Sequence, residues 1–266
     1  MASIEITTAG SASEILLIAL NRPHVRNAID GPMADALYRA LKNFDTDEDL
    51  KVAIIYGQGK DFCAGADLKS VATGRSTPDI DLSGDKSPLG FARLVLSKPV
   101  VAAISGHAVA GGLELAVWCD IRIIDPSARF GVYCRRFGVP LVDGGTINLQ
   151  SVIGYSRAMD MLLTGRTVDA KEALRWGLAT RAVDREEELL PEAIRLAETI
   201  AAFPQRCMRS DRLGLITARF ENQERLLRLE CERGLETMKS GETRDGARSF
   251  SQNRVGRHGS FGRSRI

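Results

Sequence analysis

A chain of 266 residues, 44% of them hydrophobic, is long enough to bury a full core as one domain, or as one domain with an appendage. Its formal net charge of +2 is too small to draw nucleic acid by bulk electrostatics. Five cysteines (Cys63, Cys119, Cys134, Cys207, Cys231) are scattered, odd in number and never spaced C-x-x-C, which argues against a disulfide framework or a zinc site and for a reducing compartment.

From the N-terminus, Met1 to Ile6 lacks the charged and apolar regions of a signal peptide, so a cytoplasmic protein is expected. Strand-like runs at Ile4–Ile6 and Ile15–Leu20 lead to a turn over Asn21–Asn27. Asp30 is placed to cap a helix whose apolar residues are Met33, Leu37, Leu41 and Phe44. Val52–Tyr56 reads as a buried strand. The stretch from about Lys69 to Ser87, with Gly74, Pro78 and Gly84 and little periodicity, reads as a mobile loop. Pro99–Ile104 is a second buried strand, Gly112–Cys119 a helix and Ile121–Ile124 another strand, so the first half alternates strand and helix in a layered α/β core. The apolar run Val100 to Trp118 is broken by Ser105, His107 and Glu114, which argues against a membrane span.

After Gly144 the pattern is mainly helical: Ser156–Leu163, Ala170–Trp176 capped by Asp169, Glu186–Ala202, Gln205–Phe220 and Asn222–Lys239, with Pro204 as a break. This divides the chain into an α/β core, 1–202, and a helical region with a basic tail, 203–266. Helices outside an α/β core often pack on another subunit. No dinucleotide, phosphate-loop, nucleophile-elbow or zincin motif is present.

Two stretches carry chemistry: Phe62-Cys-Ala-Gly-Ala-Asp-Leu68 and Gly106-His-Ala-Val-Ala-Gly-Gly-Leu-Glu114. Each joins an apolar run to a turn of Gly and Ala, which lets backbone approach a ligand closely. Two N–H groups exposed by two such turns can converge on one oxygen, the geometry of an oxyanion hole. Glu114 stands in an otherwise apolar run and must be buried or face a cavity, which raises a carboxyl toward the range useful for proton transfer.

These stretches, with Leu20-Asn-Arg-Pro23, Asn27-Ala28, Lys98 to Asp120, Phe130-Gly131, Gly144-Gly-Thr146 and Leu163-Thr-Gly165, resemble the enoyl-CoA hydratase/isomerase (crotonase) superfamily in order along nearly the whole chain. The resemblance implies a spiral of ββα units followed by C-terminal helices that build trimers, commonly paired into hexamers. It implies acyl-CoA thioester substrates, with coenzyme A part of the substrate and no permanently bound cofactor or metal. It assigns the oxyanion donors to the N–H groups of Ala66 and Gly111 and the first catalytic glutamate to Glu114. Ala64, Ala66, Asp67, Leu68, Lys69, Gly111 and Arg26 are expected along the coenzyme A and acyl channel, with Lys69 near the nucleotide end.

The chief departure is Cys134, which stands where hydratases of the family carry a second glutamate. Asp143 matches an aspartate that is catalytic in some relatives, dienoyl-CoA isomerases among them; the other reading makes it the cap of the following helix. His107 reads as structural, with no partner assigned. Tyr133 is a candidate donor to a substrate oxygen. Arg22 and Arg26 either meet coenzyme A phosphates or belong to a solvated loop. The expected activity is hydration of a 2-enoyl-CoA. Double-bond isomerisation is the alternative, and a non-catalytic acyl-CoA or RNA binder a third, supported only by the basic tail from Arg254.

Overall fold

The computed structural model describes residues 2–74, 83–219 and 223–252, so the basic tail lies outside the described residues. The strands are β1 (Ile4–Ala9), β2 (Ile15–Leu20), β3 (Val52–Gly57), β4 (Val100–Ile104), β5 (His107–Val109), β6 (Ile121–Ile124), β7 (Arg129–Gly131), β8 (Val168–Asp169) and β9 (Arg181–Ala182). The helices are α1 (Gly31–Thr46), α2 (Leu68–Thr73), α3 (Gly111–Trp118), α4 (Gly145–Ile153), α5 (Tyr155–Thr164), α6 (Ala170–Trp176), α7 (Leu189–Ala202), α8 (Gln205–Arg219), α9 (Gln223–Lys239) and α10 (Glu242–Ser251).

A six-stranded sheet runs β1-β2-β3-β4-β6-β9, antiparallel between β1 and β2 and parallel elsewhere. Its central strands are apolar on both faces because both faces are covered. Leu16, Ile18, Ala53, Ile55, Ala102 and Ile104 point into the core shared with α1 and α3, while Ile15, Leu17, Val52, Ile54, Val101 and Ala103 meet α7. A smaller sheet, β5-β7-β8, lies beside it, and Cys63 bridges to Ala108 at its edge. Each of β3, β4 and β6 is thus followed by a short segment associated with the second sheet, and then by helix. That is the spiral of ββα units.

The α1 cap is as expected: the Asp30 side chain accepts from Met33 N at 3.0 Å. Asp169 accepts from Glu172 N at 2.8 Å at the head of α6. The loop reading of 69–87 is corrected at its start. Residues 68–73 form α2, because buried Asp67 accepts from Lys69 N (3.1 Å) and Ser70 N (3.4 Å) and so caps that turn. Residues 75–82 lie outside the described residues. At the C-terminal end, α9 packs on α4, and α10 packs on α2 and on the turn Tyr133–Phe137. Among the described residues no helix is long and apolar enough to cross a membrane.

Candidate active site

Parallel pairing brings the two glycine-rich turns together. Cys63 N donates to His107 O (2.8 Å) and Val109 N to Cys63 O (3.0 Å), which lays 63–66 alongside 107–111. Gly65 has φ +88° and Ala110 has φ +53°, the latter a conformation that side chains rarely adopt and that costs about 1–3 kcal/mol. Ala110 is held there by its own N–H on Gly131 O (2.9 Å) and by Leu113 N and Glu114 N, which both donate to its carbonyl (3.0 and 3.1 Å). A methyl group built on Gly65 would stand 2.6 Å from Gly111 N, and one on Gly111 would stand 3.5 Å from Ala66 N. The two amides therefore flank one small volume. Among the described residues neither N–H meets an acceptor. Gly112 is required for a second reason: a methyl there would lie 2.0 Å from Cys63 O.

Ala66 and Gly111 line a cavity of about 290 Å³. Ala64, Asp67, Leu68, Lys69, Arg26, Glu114 and Asp143 line it as well, so these residues lie around one space, whereas Arg22 does not line it. Its wall includes Leu89, Phe137, Val139 and Val142, and Met238 and Thr243 from the C-terminal helices.

Glu114, in the first turn of α3, is buried. Its Oε1 accepts from Asp143 N and Gly145 N, both at 2.9 Å. Burial, then the negative charges of Asp143 and Glu230, push its carboxyl well above the usual range. Asp143 is also buried; its Oδ1 accepts from Leu89 N at 3.0 Å and the Ser87 hydroxyl lies near its carboxyl, while among the described residues Oδ2 has no partner. Burial raises Asp143 to about 7, against the lowering effect of those hydrogen bonds. The two groups titrate as a pair, both displaced toward neutrality. The capping reading of Asp143 is corrected: α4 begins after Gly144 and receives no cap from that side chain.

Comparison with known proteins shows the family. The sequence model for enoyl-CoA hydratase/isomerase matches residues 10–257. The chain belongs to the enoyl-CoA hydratase/isomerase family. It is 41% identical over 187 residues to a probable enoyl-CoA hydratase of Mycobacterium leprae, covering 70% of this chain and 71% of that one. It is also 41% identical over 204 residues to a carnitinyl-CoA dehydratase of Proteus mirabilis, covering 75% and 74%. The crystal structure of enoyl-CoA hydratase from Mycobacterium tuberculosis H37Rv superposes with a TM-score of 0.78 at 34% identity, over 90% of this chain and 97% of that one.

Within the family pattern, Cys134 is buried, and its thiol is pushed up to about 12 by burial and then by the Glu114 charge. It is a neutral wall of the cavity and offers no carboxylate. His107 does have a partner, contrary to the sequence reading: its Nδ1 lies 2.6 Å from Asp61 Oδ1, and its ring meets Tyr133 edge-on. A histidine and an aspartate 46 residues apart in sequence become neighbours only because the two turns pair. The Tyr133 hydroxyl bonds Thr167 Oγ1 at 2.6 Å, and Arg136 stacks on its ring at 3.8 Å. Arg22 is not part of a solvated loop: it is mostly buried and pairs with Asp67 (2.9 Å) and Asp30 (3.2 Å). Arg26 sits 3.7 Å from Asp61, at the cavity.

Glu230 was missed by sequence reasoning. It reaches from α9 to accept from Gly144 N (2.8 Å) and Thr146 N (3.0 Å), and it bonds the Thr146 hydroxyl. The available signal was its position between Leu229 and Cys231 and three residues after Leu227, on the apolar stripe of an otherwise charged helix.

Proposed function

We propose that this chain adds water to the double bond of a 2-enoyl-CoA thioester, or removes it in reverse. The observation that carries this reading is the pair of N–H groups at Ala66 and Gly111, neither bonded to another of the described residues, beside a buried carboxyl at Glu114. The thioester oxygen accepts from both amides, and each such donor typically lowers the barrier by about 3 kcal/mol. Glu114, ionised, takes a proton from water as its oxygen bonds the β-carbon, and the π electrons move onto the thioester oxygen. Collapse of that enolate takes a proton onto the α-carbon from protonated Asp143, which supplies the second carboxyl that Cys134 does not. The positive end of α3 adds to the stabilisation of the enolate. Arg26 and Lys69 hold the coenzyme A phosphates, and Ala64, Asp67 and Leu68 line its path.

The relatives named enoyl-CoA hydratase and carnitinyl-CoA dehydratase support addition or elimination of water. Isomerisation is the second reading. It is favoured by Cys134, since two carboxyls that carry protons between carbons need no water. Incubation with crotonyl-CoA separates the two: hydration removes the conjugated enoyl absorbance, whereas an isomerase leaves it and converts a 3-enoyl-CoA instead. A role in fatty-acid metabolism, a cytoplasmic setting and a trimer or dimer of trimers complete the proposal. In this reading 203–266 serves subunit contact through α8, where Leu213 and Leu215 are exposed.

Asp143 gives a pH test. As the acid it must hold its proton, so turnover falls as pH rises through about 7. In Asp143→Asn that alkaline fall disappears and the plateau drops by roughly 10²–10⁴-fold. Full turnover in this variant, with only stability lost, reduces Asp143 to an anchor for Leu89.

A further inference from the structure

We propose that Glu230 is a positioning residue, which holds the Glu114 carboxyl in place through a turn that both glutamates grip. The four successive N–H groups at 143–146 alternate between them. Asp143 N and Gly145 N donate to Glu114, while Gly144 N and Thr146 N donate to Glu230. The turn enters α4, so both carboxylates also meet the positive end of that helix. Glu114 comes from α3 and Glu230 from α9, and the contacts are close: a methyl on Gly145 would lie 2.9 Å from Glu114 Oε1.

Without Glu230 the buried Gly144 amide and the partly buried Thr146 amide lose their acceptor, and the turn relaxes to satisfy them. The amides that fix Glu114 move with it. The three carboxyls are not arranged to share a metal ion. The inference rests on Glu114 being the acid–base group proposed above. It makes the C-terminal helices part of the catalytic apparatus.

Charge acts in the same direction. Glu114 on α3, Asp143 before α4 and Cys231 on α9 are the titratable groups that feel the Glu230 charge among the described residues, and Arg93, from the segment preceding β4, acts on Asp143 and Cys231. The Glu230 charge raises both Glu114 and Asp143, and Arg93 opposes it at Asp143. Removing the Glu230 charge therefore lowers Glu114. A base works ionised, so the acid limb of the pH–rate profile must move to lower pH.

The test is Glu230→Gln and Glu230→Asp in the full-length protein, assayed with crotonyl-CoA across pH, together with a crystal structure of Glu230→Gln. In Glu230→Gln, kcat is expected to fall between about tenfold and a hundredfold, part of the roughly 10²–10⁴-fold a positioned acid–base group supplies. KM stays within about twofold, the acid limb moves down by on the order of one pH unit, and Glu114 loses a bond to Asp143 N or Gly145 N. Glu230→Asp keeps the charge, so its limb stays at the wild-type pH while kcat recovers only in part. If Glu230→Gln does not fold, Thr146→Val, which removes only the hydroxyl bond and keeps the Glu230 charge, must show a smaller fall in kcat with the limb at the wild-type pH. Unchanged kcat and limb, or an unmoved Glu114 carboxyl, overturns the inference. A wild-type protein inactive on every 2-enoyl-CoA instead refutes the hydratase reading, and the crystal structure still judges Glu230.

Discussion

Glu114→Gln is expected to slow turnover of a 2-enoyl-CoA by roughly 10²–10⁴-fold, the range supplied by a positioned acid–base group. The substitution is close to isosteric, and an amide oxygen can still accept from Asp143 N and Gly145 N, so the turn before α4 keeps its shape. Affinity for the coenzyme A portion should be unchanged, because Arg26 and Lys69 are untouched. Stability carries an independent sign. A carboxyl raised in the folded state contributes stability that is present below its unfolded pKa of about 4.3 and lost as pH rises through the folded value. Glu114→Gln is therefore expected to melt like the wild type near pH 4 and above it at pH 8. Thermal melts at the two pH values, beside steady-state assays, check both halves. A variant that keeps full turnover removes Glu114 from the chemistry.

Gly65→Ala is the second large effect, and it acts with no change of charge. The new methyl would lie 2.6 Å from Gly111 N and 3.0 Å from the Ala110 methyl, where the thioester oxygen must enter. Loss of one oxyanion donor costs roughly 10²–10³-fold in kcat. The positive φ at position 65 adds about 1–2 kcal/mol of strain, so a control must carry that cost without the obstruction. Gly177→Ala is that control: φ is +76° at the end of α6, and nothing lies within 4 Å of the added methyl. It should lose similar stability and keep its kcat. If Gly65→Ala behaves like Gly177→Ala, the gap between Ala66 N and Gly111 N is not where the oxygen binds.

What could be read from the sequence was local or repeated. Strands β2, β3 and β4 are unbroken apolar runs because both faces of their sheet are covered, and Asp30 marks the start of α1 through a bond three residues away. Glu114 announced itself as a lone charge in an apolar helix. Helix α2 was hidden in a glycine- and serine-rich stretch, since it is six residues long, buries none of them and is marked only by the Asp67 cap. Strands β5, β7 and β8 are two or three residues long, too short for any period. Asp143 resembled a cap because aspartate before Gly-Gly-Thr suits one; the amides it would have taken, Gly145 N and Thr146 N, are bonded by residues 31 and 84 positions away. Glu230 and the His107–Asp61 pair share that cause: each is made by contacts that only the closed spiral brings together.

A crystal structure of Glu114→Gln with crotonyl-CoA bound is the most direct test of this account. The thioester oxygen is expected within about 3.2 Å of both Ala66 N and Gly111 N, with the position-114 side chain and Asp143 flanking the double bond. An oxygen remote from both amides, or an acyl group seated outside the cavity, contradicts it.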